Sequence, residues 1–300
     1  MTRRRRRSRT GSNRRRRGRG KARLDWRMAS LVLGSVGVVS LVGIAAIPSA
    51  VEFMNRPKVP QVALGAPLAE DTLVRGVVLD PSGSNGGTQS AQKDLELLAD
   101  VVADWVGPPP PDDGTSAYAG MPGLDLTVRQ VALNSFGADA QVAHIHVPGI
   151  PPLPAAPATT DVNASAMYLD QVDSVLKDYQ RAQAQAERAA TTLRSARLRS
   201  ENSEVAGALS ALVQVLPPSS QERQIVVVSD VEQAGASPQV DGDLSGTTVT
   251  VFQRCDEGTD RCDAARESFT SLTRNLNGTT PEFLRIEALP TNLAGILKGQ

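Results

Sequence analysis

Asp80, Ser82 and Ser84 stand at alternate positions in the stretch DPSGSNGG, which places one carboxylate and two hydroxyls within five residues. Such an oxygen-only donor set is hard in the chemical sense, suited to Mg²⁺, Mn²⁺ or Ca²⁺ rather than to zinc. Gly83, Gly86 and Gly87 allow the loop to fold tightly around these groups. A second carboxylate, Asp230, closes the apolar run RQIVVVSD at 223–230. Asp, Ser and Gly also build ordinary turns, so a helix-entry turn at Asp80 and a strand-end cap at Asp230 are the simple alternative.

Both carboxylates follow short runs that read as buried strands, and the same pattern recurs along the chain. Leu73–Leu79 reads as a short apolar strand type interrupted only by Arg75, and Ala91–Val106 then carries Leu95, Leu98, Val102 and Trp105 at helical spacing. GPPPPDDG ends that helix. Further strands are expected over Leu126–Leu133, Gln141–Val147, 223–230 and 247–255, with an edge strand at 281–289. Helices are expected over about 164–200, 203–216 and 264–276. Strands alternating with helices imply an α/β, doubly wound, mainly parallel sheet, in which ligands bind beyond the carboxyl ends of the strands. Asp80 and Asp230 are thereby directed to one end of the sheet.

At this point the chain resembles the von Willebrand factor type A domain family. The D-x-S-x-S of that family's metal-ion-dependent adhesion site matches Asp80, Ser82 and Ser84, and its later strand ending in an aspartate matches VVVSD with Asp230. The resemblance covers roughly residues 70–290. It implies a Rossmann-like sheet binding Mg²⁺, Mn²⁺ or Ca²⁺, with both Ser as direct ligands and Asp230 acting through water. An acidic side chain of a protein partner then completes the coordination shell. The family also supplies a Thr from a loop before a helix, and there the match departs. Ser203, in NSEVAGALSAL, and Thr160, in TTDVNASAM, are the alternatives, each with a plain role as a helix cap. Ser203 is preferred, which makes about 164–200 an inserted helix.

The formal net charge of zero hides a strong segregation. Residues 1–27 hold thirteen Arg, one Lys and one Asp, so a +13 tail precedes a −13 remainder. This tail has too little apolar content to fold and is expected to be disordered. Met28–Val51 runs 24 residues without a charge, enough to cross a hydrocarbon core of about 30 Å at about 1.5 Å per residue. The segment reads as one transmembrane helix, with a cleaved signal peptide as the alternative, and the positive-inside rule keeps the Arg tail in the cytoplasm, against anionic lipids, and exports the rest. Residues 52–69, with three Pro, form a linker, and 291–300 a C-terminal tail. Cys255 and Cys262, both on the exported side, are expected to pair as a disulfide.

Function follows as a membrane-anchored, extracytoplasmic binding module of a bacterial type of envelope, working through a divalent cation on a protein partner. The alternative is a nucleic-acid-associated accessory protein of a membrane complex, such as a DNA-transfer machine, acting through the Arg tail. An enzyme is disfavoured, because no motif gathers a nucleophile, a base and an orienting group, and only two His are present. GSNGGT at 83–88 lacks the Lys of a phosphate-binding loop. His144 and His146 share a strand face without a third ligand evident in the sequence, and Asp112, Asp113, Asp241 and Asp243 read as solvated loop acids.

Overall fold

A computed structural model describes residues 71–299 except 85, 111–116, 133, 158–161, 200–203, 218–222, 233–239 and 256–257. All of these belong to the second of two compact units, Pro57–Gln300. The expected Arg tail, the transmembrane helix 28–51 and the linker 52–69 lie outside the described residues. Among those described, no helix is long and apolar enough to cross a membrane.

Among the described residues, six strands and five α-helices make an α/β unit around one mixed sheet. The strands are β1 (Leu73–Leu79), β2 (Leu124–Gln130), β3 (Gln141–Val147), β4 (Arg223–Ser229), β5 (Thr247–Gln253) and β6 (Glu282–Arg285). Their order is β3-β2-β1-β4-β5-β6; β3 alone runs antiparallel to its neighbour. Every residue of β1 and β2 is buried, as central strands covered on both faces require.

Side chains alternate across the pleat, so the strands divide their residues between two cores. Leu73, Val77 and Leu79 of β1, with Leu124, Leu126 and Val128 of β2, pack beneath α1 (Gly87–Ala103), α2 (Val162–Ser195) and α5 (Leu289–Lys298). On the opposite face, Val74 and Val78, with Ile225 and Val227 of β4, pack beneath α3 (Val205–Val215) and α4 (Asp260–Asn275).

The 34-residue α2 buries a narrow line of Tyr168, Val172, Val175, Ala182, Ala186, Ala190 and Leu193 and leaves its polar flanks to solvent. The three Ala, four apart, fall on one side of the helix, and their small side chains let α1 approach closely.

Several boundaries differ from the sequence reading. α1 begins four residues early, directly after a left-handed glycine turn. β2 spans Leu124–Gln130 rather than 126–133, with a register shift against β3 at Val128/Arg129. The domain also continues past 290, where a tail was expected. Leu289, Leu293 and Leu297, spaced by four, bury one stripe of α5; Pro290 opens the helix and left-handed Gly299 closes it. Arg75 of β1 secures that closure, donating from Nε to the Leu297 carbonyl at 2.7 Å.

Candidate metal centre

The order β3-β2-β1-β4-β5-β6 reverses direction between β1 and β4, whose carboxyl ends therefore border the crevice where open α/β sheets bind ligands. Leu79 pairs with Val228 across these strands, and the Asp80 N–H extends the ladder to the Val228 carbonyl at 3.1 Å. One step further, Ser229 Oγ donates to Asp80 Oδ2 at 2.7 Å, while the Ser82 N–H donates to Asp80 Oδ1 at 3.0 Å. Asp80 is thus held at both oxygens and is only 1% exposed.

Beyond Asp80 the chain turns sharply into α1. Gly86 and Gly87 both take left-handed backbone, at φ 81° and 73°, and the Gly87 N–H donates back to the Ser82 carbonyl at 2.8 Å. A Cβ on Gly86 would strain its left-handed backbone and crowd Ser90, whose Oγ would lie 2.7 Å away. This turn brings the Ser82 and Ser84 hydroxyls to 3.2 Å from each other, with Ser82 buried and Ser84 exposed.

Asp230 enters from β4 and is 2% exposed. Its Oδ1 accepts from the Glu232 N–H at 3.0 Å, and its backbone carbonyl accepts from Gln253 Nε2 at 3.3 Å. Val231 follows at φ 53°, a left-handed conformation that costs a β-branched residue about 1–3 kcal/mol and persists only where neighbours hold it. Ser229 Oγ accepts from the Val231 N–H at 2.9 Å, so one hydroxyl serves both the Asp80 carboxylate and this strained turn.

Burial pushes the Asp80 carboxyl above the usual carboxylate range, and the nearby negative charge of Asp230 pushes it the same way against the hydrogen bonds from Ser229 and Ser82. Asp80 therefore senses the charge of Asp230 in a poorly solvated place, an arrangement that a divalent cation would offset. Neighbouring oxygens on an octahedral Mg²⁺ shell of radius about 2.1 Å lie about 3.0 Å apart, close to the spacing of the two hydroxyls. Asp80, Ser82, Ser84 and Asp230 are the residues here that could hold Mg²⁺ or Mn²⁺, each offering oxygen alone. Among the described residues, no three His, Cys, Asp or Glu side chains gather as a metal-holding group. Both candidates for the remaining hydroxyl, Ser203 and Thr160, lie outside the described residues. Glu204, where α3 begins, is at this end of the sheet, its carbonyl accepting from Ser135 Oγ of the loop after β2.

A cavity of about 920 Å³ opens beside Ser84 and Asp230, walled by Glu232, Gln253, Arg254 and Cys255. Arg254 pairs with Asp94 of α1, and Arg261 of α4 pairs with Glu232. The expected disulfide joins Cys255, just after β5, to Cys262 in the first turn of α4. Ser229, Gln253, Glu232 and Arg254 were not singled out from sequence. The only local signal was a hydroxyl immediately before Asp230, and its significance depends on the register of β1 with β4.

The other candidates lie elsewhere. His144 Nε2 is 3.0 Å from Asp125 Oδ1 and His146 Nδ1 is 3.8 Å from Asp125 Oδ2, on the β2–β3 side of the sheet. Asp243 Oδ1 accepts from the Ser245 N–H, near the start of β5 and away from the Asp80 end. Asp112 and Asp113 lie outside the described residues.

No protein-family model matches this chain, and no curated protein matches it. Among solved structures, it is similar to proximal thread matrix protein 1 from the mussel byssus, at 11% identity and a TM-score of 0.34 over 77% of this chain and 49% of that one. It is also similar to the pilus adhesin SpaC from Lactobacillus rhamnosus GG, at 12% identity and a TM-score of 0.35 over 78% of this chain and 32% of that one. The chain spans less than half of either protein, and likenesses this weak carry no argument about fold or function.

Proposed function

We propose that this chain is a membrane-anchored binding module of von Willebrand factor type A character, which engages a protein partner through a divalent cation and is not an enzyme. The observation that carries the reading is the meeting of Asp80, Ser82 and Ser84 with Asp230 beyond the adjacent parallel ends of β1 and β4, where the strand order reverses. Ser82 and Ser84 would ligate Mg²⁺ or Mn²⁺ directly, with Asp80 and Asp230 supplying the balancing charge. The cation would contribute an open coordination position for an acidic side chain of the partner. The 24-residue uncharged run Met28–Val51 and the Arg tail before it support a single-pass anchor, with the cation-binding domain outside the membrane and the tail in the cytoplasm.

Calorimetric titration of the detergent-purified full chain with Mg²⁺ and Mn²⁺ tests this. One saturable site is expected in the wild type and none in Asp80→Ala; a wild type that takes up neither ion refutes the proposal.

A further inference from the structure

Behind Asp230 stands a second layer of side chains. Gln253, the last residue of β5, is 3% exposed, and both ends of its amide are committed. Its Nε2 donates to the Asp230 carbonyl at 3.3 Å, and its Oε1 accepts from Arg266 Nε at 2.6 Å. The amide has only one workable orientation, because a guanidinium carries only donors and a carbonyl oxygen only accepts. Arg266 is itself fixed: its guanidinium carbon lies 5.7 Å from the Phe283 ring centroid, and Phe283 meets buried Phe269 edge-on.

Two other links run from α4 to the same region. Arg261 pairs with Glu232, whose N–H donates to Asp230 Oδ1, and Cys262 is bonded to Cys255, two residues after Gln253. The peptide joining Asp230 to the strained Val231 is therefore gripped at both polar atoms, its oxygen by Gln253 and its N–H by Ser229.

We infer that Gln253 and Arg266 are positioning residues for Asp230, a relay that fixes the end of β4 where the cation site needs its carboxylate. The inference rests on the cation reading above. A side chain that holds a neighbour of the metal typically changes affinity more than stability, since the ligand becomes mobile while the core stays packed.

The test is Mn²⁺ titration of the full chain, followed by the electron paramagnetic resonance of free Mn²⁺, beside thermal melting in metal-free buffer. Gln253→Ala is expected to weaken Mn²⁺ by about 10-fold. Gln253→Glu, which sets a second acceptor against the Asp230 carbonyl, is expected to weaken it further. Arg266→Met keeps an apolar contact with Phe283 but releases the amide, and is expected to weaken Mn²⁺ while leaving the metal-free melting temperature near that of the wild type. Wild-type Mn²⁺ affinity in the folded variants, or affinity that falls only in step with melting temperature, overturns the inference alone. A wild type that binds no Mn²⁺ overturns this inference, and one that takes up neither Mn²⁺ nor Mg²⁺ overturns the cation reading with it.

Discussion

Ser229 Oγ sits between two demands, donating to Asp80 Oδ2 at 2.7 Å and accepting from the Val231 N–H at 2.9 Å. A single buried hydroxyl thus ties the end of β1 to the turn that follows β4. Replacement by Ala leaves a buried carboxylate short of a donor and a strained N–H short of an acceptor. Ser229→Ala is expected to lose about 1–3 kcal/mol of stability, measured by urea unfolding. A loss below about 0.5 kcal/mol, the range of ordinary surface substitutions, would show that the bridge is dispensable.

Asp80 sets a pH dependence of definite sign. Its folded pKa is raised above the ordinary 3.8, chiefly by burial, so the folded state holds the proton more tightly than the unfolded chain does. The metal-free protein gains from this below 3.8 and loses that gain as pH rises through the higher folded value. Asp80→Asn should remove this loss, making the metal-free variant more stable than the wild type at neutral pH. It should also abolish any rise in melting temperature with Mg²⁺. A less stable metal-free variant would contradict the electrostatic account.

The pair His144–Asp125 works in the opposite chemical sense but with the same sign. The hydrogen bond to Asp125 raises the His144 pKa above 6.5, and partial burial only partly opposes it. Its contribution is complete below the unfolded value of about 6.5 and is lost as pH rises through the higher folded value. His146 Nδ1 lies 3.8 Å from the other Asp125 oxygen. Proton NMR titration should find His144 above 6.5 in the wild type and returned toward 6.5 in Asp125→Asn; no change between the two would exclude the coupling.

Leu297 is fully buried near the end of α5 and belongs to the core shared with β1 and α1. Leu297→Ala should cost about 2–5 kcal/mol in denaturant unfolding, as expected for a core leucine. A near-neutral result would return residues 291–300 to the status of a tail.

The sequence revealed those features that depend on local spacing. β1 falls on the expected residues because its short run is apolar except for Arg75, β3 because apolar and polar residues alternate from Ala143 to Val147, and Asp80, Ser82 and Ser84 are within one loop. Asp230 was recognisable as the end of an apolar run. What escaped depends on pairing between distant segments: Ser229 becomes important only once Leu79 stands opposite Val228, and Gln253 only once β5 lies beside β4. The helix α5 escaped for another reason. Its buried stripe has just three leucines over ten residues, although their four-residue spacing, Pro290 and Gly299 were all visible.

The hydrogen bond from Arg75 to Leu297 carries a consequence for how this domain can be connected. β1 rises from Leu73 toward Asp80, so Arg75, and with it the end of α5, lies toward the opposite pole from the oxygen cluster. A seven-residue strand spans about 23 Å. The first and last described residues therefore share that far pole, and circular permutation by a short join between them should leave the Asp80 loop undisturbed. Cargo fused after residue 299 would likewise begin on the side away from the cation-binding face.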